Sequence, residues 1–141
     1  MQPPNSYEIY TDGGSRGNPG PGASAFVVYQ NKNKLTQRAS FFKLTTNNVA
    51  EYFAVLTALS WARKNLNSTE VGKIDFFSDS ELIVRQLSGE YKVKNAKLRK
   101  IYEKIITLVL EMKTKIAFHH IKRGFNSEAD GLVNKKMDEN I

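Results

Sequence analysis

Cysteine is absent from the sequence, which excludes disulfides and thiolate metal sites and fits a reducing cytoplasm. No apolar run approaches the roughly 18 residues that a membrane-spanning helix requires. The opening Met1-Gln-Pro-Pro-Asn5 lacks the basic-then-apolar pattern of a signal peptide, so a cytoplasmic protein with no membrane partner is expected. Repeats, low-complexity tracts and long linkers are missing too. The 141 residues are therefore expected to form a single domain, 1–141, long enough to bury a core without a disulfide or metal staple. Acid is the scarcer charge: 14 Asp and Glu stand against 21 Lys and Arg, a net +7. An excess of that sign suits an acidic partner, of which nucleic acid is the commonest. The plain alternative is a soluble, lysine-rich surface. Positive charge is nevertheless crowded, first over Lys92, Lys94, Lys97, Arg99, Lys100 and Lys104, then at Lys113, Lys115, Lys122 and Arg123.

What is present reads as strands first and alternation afterwards. Tyr7 to Asp12, Ala23 to Tyr29 and about Leu35 to Lys43 are β-prone, with Asn31–Lys34 as a polar hairpin turn. Gly13 to Gly22 reads as a turn-forming segment. Asn47 to Lys64 predicts a long helix with few polar positions, Ile74 to Phe77 a short strand, and Ser80 to Leu87 a short helix. Leu98, Ile101, Ile105, Leu108 and Met112 recur at helical spacing and predict an amphipathic helix over Lys97 to Met112, capped by Asn95 or a near neighbour. Ile116 to Ile121 is a last strand, and a helix from near Asn126 closes the chain. The order β-β-β-α-β-α-α-β-α makes the first three strands antiparallel and the later ones parallel. The expected fold is α/β, a five-stranded mixed sheet flanked by helices.

Four carboxylates stand out, each with an ordinary explanation. Asp12 precedes Gly-Gly, a common turn pairing. Asp79 lies in Ser78-Asp-Ser-Glu81, which reads as a capping box, and Asp130 falls in the first turn of the last helix, where an acid is favoured anyway. Glu51 is harder to explain away. It shares a helical stripe with Ala54, Val55, Ala58 and Ala62, the face that should press on the sheet, and no basic residue sits within a turn of it. Open α/β sheets form their sites beyond the carboxyl ends of strands, where these four can converge. Such a cluster repels itself unless divalent cations hold it. All-oxygen ligation without cysteine points to Mg²⁺ or Mn²⁺, and two such ions about 4 Å apart can activate a water and stabilise a phosphodiester's leaving oxygen.

Read as strings, the segments are similar to a known set. Tyr10-Thr-Asp-Gly-Gly-Ser-Arg-Gly-Asn-Pro-Gly-Pro-Gly-Ala23 resembles the opening signature of the type 1 ribonuclease H family. Thr45-Thr-Asn-Asn-Val-Ala-Glu-Tyr52 resembles its second motif, Ser78–Glu81 its third and Asn126-Ser-Glu-Ala-Asp130 its fourth. The likeness runs from about Tyr7 to Asn134. It implies a ribonuclease H-like fold and an endoribonuclease that hydrolyses the RNA strand of RNA–DNA hybrids with two metal ions, leaving a 5′-phosphate and a 3′-hydroxyl. By the same resemblance Asp12 bridges both metals, Glu51 and Asp79 complete one site, and Asp130 holds the other. The backbone at Gly13 and Gly14, with Asn18, Asn47 and Asn48, would read the minor groove and the RNA 2′-hydroxyls, and Thr46 would hold a DNA-strand phosphate. For Asn47 and Asn48, helix capping by one of them is the plain alternative. The glycine segment is no phosphate loop, since no Gly-Lys-Ser/Thr follows and Pro19 and Pro21 remove donors.

The chain departs from the best-studied bacterial pattern twice. The long basic insertion after the third motif is reduced to Gly89-Glu-Tyr-Lys-Val-Lys-Asn95, leaving the grip on the hybrid to Lys92, Lys94 and their neighbours. The loop histidine expected before the last aspartate is missing from Lys122-Arg-Gly-Phe-Asn126, and Arg123, with Asn126, is the candidate assisting residue. His119 and His120 fall in the last strand and read as structural. A monomer is expected. Two other readings compete: a non-catalytic nucleic-acid-binding module on the same fold, which should have lost carboxylates, and a transposase-like or junction-resolving nuclease, which the Thr-Asn-Asn and Gly-Asn-Pro-Gly segments do not suit.

Overall fold

The computed structural model describes residues 5–67 and 69–141. Its five strands are β1 (Asn5–Ser15), β2 (Gly20–Gln30), β3 (Asn33–Thr45), β4 (Val71–Ser78) and β5 (Lys115–His120). They form one sheet in the order β3-β2-β1-β4-β5. β1 with β2 and β2 with β3 pair antiparallel, while β1 with β4 and β4 with β5 pair parallel. This is the mixed sheet that the element order predicts. Among the described residues four helices surround it, α1 (Asn47–Asn65), α2 (Glu81–Leu87), α3 (Ala96–Met112) and α4 (Ser127–Asn140), with a 3-10 turn at Arg123–Phe125. No helix among the described residues is long and apolar enough to cross a membrane.

Strand alternation divides the core between the two faces. Ile9, Phe26, Val28, Ile74 and Phe76 pack with Tyr52, Val55 and Leu59 of α1 and with Ile101 and Ile105 of α3. On the other face Ala23 and Ala25 meet Val133 and Met137 of α4. The stripe expected on α1 is buried throughout, Ala54, Val55, Ala58 and Ala62 together with Glu51. Small side chains there let the helix axis lie close to the sheet.

The glycine-rich segment is more ordered than its composition predicts. β1 continues through Gly13 and Gly14, which pair with Ser24 and Ala23, and only residues 16–19 are left as a loop. The reason is a close approach. A Cβ at Gly13 would lie 2.4 Å from the Ala50 carbonyl carbon and 2.5 Å from the Glu51 nitrogen, so α1 can cross β1 only where a side chain is missing. The hairpin turn is also tighter than expected. Asn31 and Lys32 both take positive φ, 50° and 66°, as a two-residue hairpin turn requires, and β3 begins already at Asn33.

Two caps differ from the sequence reading. Thr46, rather than Asn47 or Asn48, caps α1, its hydroxyl accepting the Val49 N–H at 3.2 Å. Ser78–Glu81 does not close as a capping box: Ser80 is the cap, accepting the Ile83 N–H at 3.3 Å, and Glu81 pairs forward with Arg85 at 2.9 Å. Asn95 caps α3 as expected.

Candidate active site

Four separate elements deliver acids to one end of the sheet. Parallel pairing of β1 with β4, ending at Tyr10 opposite Phe77, sets their carboxyl ends side by side. Asp12 on β1 and Asp79 just past β4 thereby become neighbours. Helix α1, seated on the bare backbone of Gly13, brings Glu51 over the same end. Helix α4 begins beyond β5 and carries Asp130. Carboxylate oxygens of Asp12, Glu51 and Asp79 lie within 4.8 Å of one another. Asp130 stands outside that tight group but within hydrogen-bonding reach of Asp12. All four line a cavity of about 410 Å³.

The electrostatics are those of crowded, desolvated acids. Asp12 is 6% and Glu51 8% exposed. Burial, then the charge of Asp79, pushes the Asp12 carboxyl up from 3.8 to about 7; Asp130 adds to the rise and the Gly13 N–H opposes it. Burial, then Asp12 and Asp79, holds Glu51 well above its ordinary value. Burial also raises Asp79, against the pull of Arg123 and His120. One oxygen of Glu51, Oε2, is buried with no hydrogen-bond partner. Among the described residues no lysine or arginine forms an ion pair with Asp12, Glu51 or Asp79; Arg123 sits 3.6 Å from Asp130 and is largely exposed. An orphaned buried oxygen, repelling carboxylates and a purely oxygen donor set fit hard divalent cations such as Mg²⁺ or Mn²⁺.

The residues expected to meet substrate are placed unevenly. Gly13, Gly14 and Asn47 line the acidic cavity. Asn18 joins them indirectly, its Oδ1 accepting the Asn47 N–H at 3.1 Å. The Asn47 Oδ1 in turn accepts the Ser15 N–H at 2.9 Å and the Ser15 hydroxyl at 3.2 Å. Both exposed amides therefore commit their oxygens to bonds within the chain, which leaves Nδ2 as the donor each has to offer. Thr46 and Asn48 are half-buried at the start of α1, outside the cavity wall. Lys92 and Lys94 stand exposed between α2 and α3, also away from the carboxylates. Asn126 is buried and does not line the cavity. His119 is bound to Asp75 of β4 at 2.7 Å and stacks on Phe77, the structural place expected of it. Sequence reading missed Ser15, Arg16 and Asn134 in the cavity wall. Asn134 had a legible signal, since it lies one helical turn beyond Asp130, whose carbonyl accepts its Nδ2 at 3.0 Å.

Comparison with known proteins agrees with the fold. The family model described as reverse transcriptase-like matches residues 10–136. A bifunctional protein of Mycobacterium tuberculosis is 38% identical over 132 residues, an alignment that covers 92% of this chain but 35% of the relative, so the chain spans about a third of the length of the first curated relatives it matches. A ribonuclease H of Ruthia magnifica is 33% identical over 150 residues, covering 96% of this chain and 97% of the relative. Among solved structures, LC11-RNase H1 in complex with an RNA/DNA hybrid superposes with a TM-score of 0.89 at 40% identity, covering 94% of this chain and 97% of that one.

Proposed function

Since the chain belongs to the type 1 ribonuclease H family, we propose that it is an endoribonuclease that hydrolyses the RNA strand of RNA–DNA hybrids, leaving 5′-phosphate and 3′-hydroxyl ends. The observation that carries the reading is the meeting of Asp12, Glu51 and Asp79 within 4.8 Å, with no lysine or arginine of the described residues ion-paired to any of them. A protein of net charge +7 that gathers its acids at one point has kept them for something other than surface solvation. In this reading Asp12, Glu51 and Asp79 would hold one divalent ion, and Asp12 with Asp130 would hold a second. When bound, such ions supply an acidified water and neutralise charge on the phosphodiester.

The rest is positioning by the chain itself. The Nδ2 groups of exposed Asn47 and Asn18 are donors, matched to the acceptors of a minor groove and to a 2′-hydroxyl oxygen, which is where RNA differs from DNA. Asn48 and the backbone at Gly13 and Gly14 extend that contact. The Thr46 hydroxyl accepts from Val49 and so keeps its own hydrogen for a DNA-strand phosphate oxygen. Exposed Arg123, beside Asp130, takes the assisting place of the loop histidine the family pattern carries there. Lys92 and Lys94 supply grip at a distance from the chemistry. A single domain, acting as a monomer in a cytoplasm that a cysteine-free chain suits, completes the reading.

The test offers the protein labelled RNA–DNA hybrid, duplex RNA and duplex DNA, each with Mg²⁺ and with Mn²⁺. Cutting confined to the RNA strand of the hybrid, abolished in Asp12→Asn, is expected. Metal-dependent cutting of duplex DNA in preference to the hybrid would reject the assignment.

A further inference from the structure

The start of α4 holds an asparagine in an unusual role. An Asn at the cap position ordinarily accepts, through its own Oδ1, an N–H from the first helical turn. Asn126 makes no such side-chain bond. Its backbone carbonyl accepts the Asp130 N–H at 3.1 Å, so the helix does begin from it. Its side chain instead turns inward and is 1% exposed. There Nδ2 donates to the Thr11 carbonyl oxygen at 2.9 Å, across 115 positions of sequence. The opposite amide orientation would set Oδ1 against that carbonyl, acceptor against acceptor, so the donor end is fixed. Oδ1 is left buried with no partner among the described residues. A side chain that forgoes its cap and strands an acceptor is not there for the helix terminus.

The bond it does make touches both halves of the acidic centre. Thr11 immediately precedes Asp12 on β1, and the carbonyl of Asn126 holds the amide of Asp130 on α4. One residue thus ties the backbone beside one acid to the backbone of the other. We infer that Asn126 is a positioning residue that fixes the separation of Asp12 from Asp130, and with it the geometry in which that pair holds a divalent cation. The inference rests on the metal-dependent hydrolase reading above. Asn126 itself lies outside the cavity wall and touches no reacting atom. Glu51 and Asp79 arrive from α1 and from the β4–α2 junction, so they do not depend on it, and its loss should disturb one side of the centre.

The experiment measures Mn²⁺ binding to the full chain by titration calorimetry, beside steady-state cleavage of hybrid, for the wild type, Asn126→Ala and Asn126→Asp. The aspartate is nearly isosteric and exchanges the donor for an acceptor. Ile105→Ala, a core variant on α3, serves as the destabilised control. Expected is a fall of about tenfold or more in kcat and in the affinity of one Mn²⁺ site for both Asn126 variants, with KM for hybrid moving less than about twofold. Ile105→Ala should lose thermal stability while its Mn²⁺ binding stays that of the wild type. If the Asn126 variants bind Mn²⁺ as the wild type does, or if both simply fail to fold, the positioning role is overturned and the hydrolase reading stands. If the wild type neither binds Mn²⁺ nor cuts hybrid, both fall together.

Discussion

A buried acid without a counter-charge weakens the fold that holds it. A carboxyl moved from 3.8 to about 7, as Asp12 is, has its ionised form disfavoured by roughly 4 kcal/mol. Folded Asp12 and Glu51 hold their protons more tightly than the unfolded chain does. Their contribution to stability is therefore complete below the unfolded carboxyl value and is lost as pH climbs through the folded one, which for Asp12 is about 7. Metal-free protein should lose thermal stability between about pH 4 and pH 7, and Mg²⁺ should restore it at the upper end while changing little at the lower. Scanning fluorimetry with and without Mg²⁺ reads both effects, and a flat profile unaffected by Mg²⁺ would contradict the buried cluster. Asp12→Asn should act in two directions. Hybrid cleavage should fall by about a hundredfold or more, because an oxygen of the proposed metal site is lost. The metal-free melting temperature at about pH 8 should rise by a few degrees, because a repelling charge is removed.

At the scale of elements, the site depends on how closely α1 crosses the sheet. Gly13→Ala would drive a methyl into the backbone of Ala50 and Glu51, which cannot yield as a flexible side chain could. The variant should lose about 2–3 kcal/mol in urea unfolding and at least tenfold in kcat, since Glu51 rides on the displaced turn. A second joint lies between α1 and α2, where the buried Tyr52 hydroxyl donates to the Gln86 Oε1 at 2.5 Å. Tyr52→Phe strands that oxygen and should cost about 1–3 kcal/mol, whereas Tyr52→Phe with Gln86→Leu should recover part of the loss in a double-mutant cycle. These joints mark the boundary of what sequence could show. The stripe around Glu51 was legible because helical period and small side chains are local facts, and the pairing of β1 with β4 followed from element order. The glycines of β1 read as a turn because their composition favours one; that they instead clear a path for α1 is a tertiary fact. Thr46, Asn47 and Asn48 can all cap a helix, and only the end of β3 selects Thr46. The bond from Asn126 to Thr11 joins the last helix to the first strand, and nothing local announces it.

The whole molecule opposes an acidic cavity to a basic exterior, and the two must do different things to a polyanion. The carboxylates repel phosphate unless cations cover them, so under the proposed function the hold on a hybrid has to come from elsewhere on a surface of net charge +7. The shortened segment between α2 and α3 leaves Lys92 and Lys94 exposed and, among the described residues, free of carboxylate partners. Lysines that meet phosphates release counterions, and each phosphate neutralised adds roughly 0.7–0.9 to the steepness with which log affinity falls against log salt. Replacing Lys92 and Lys94 together by alanine should reduce that slope by about one to two and raise KM for hybrid several-fold, with kcat at saturation held within about twofold. Lys135 and Lys136 on α4, replaced in the same way, remove equal charge from a surface shared with Arg38, Gln37 and Glu139, apart from the acidic cavity. Their loss should leave the slope unchanged. Equal effects from the two pairs would mean that the hybrid is held by diffuse charge, and that the segment between α2 and α3 has no special part in the grip.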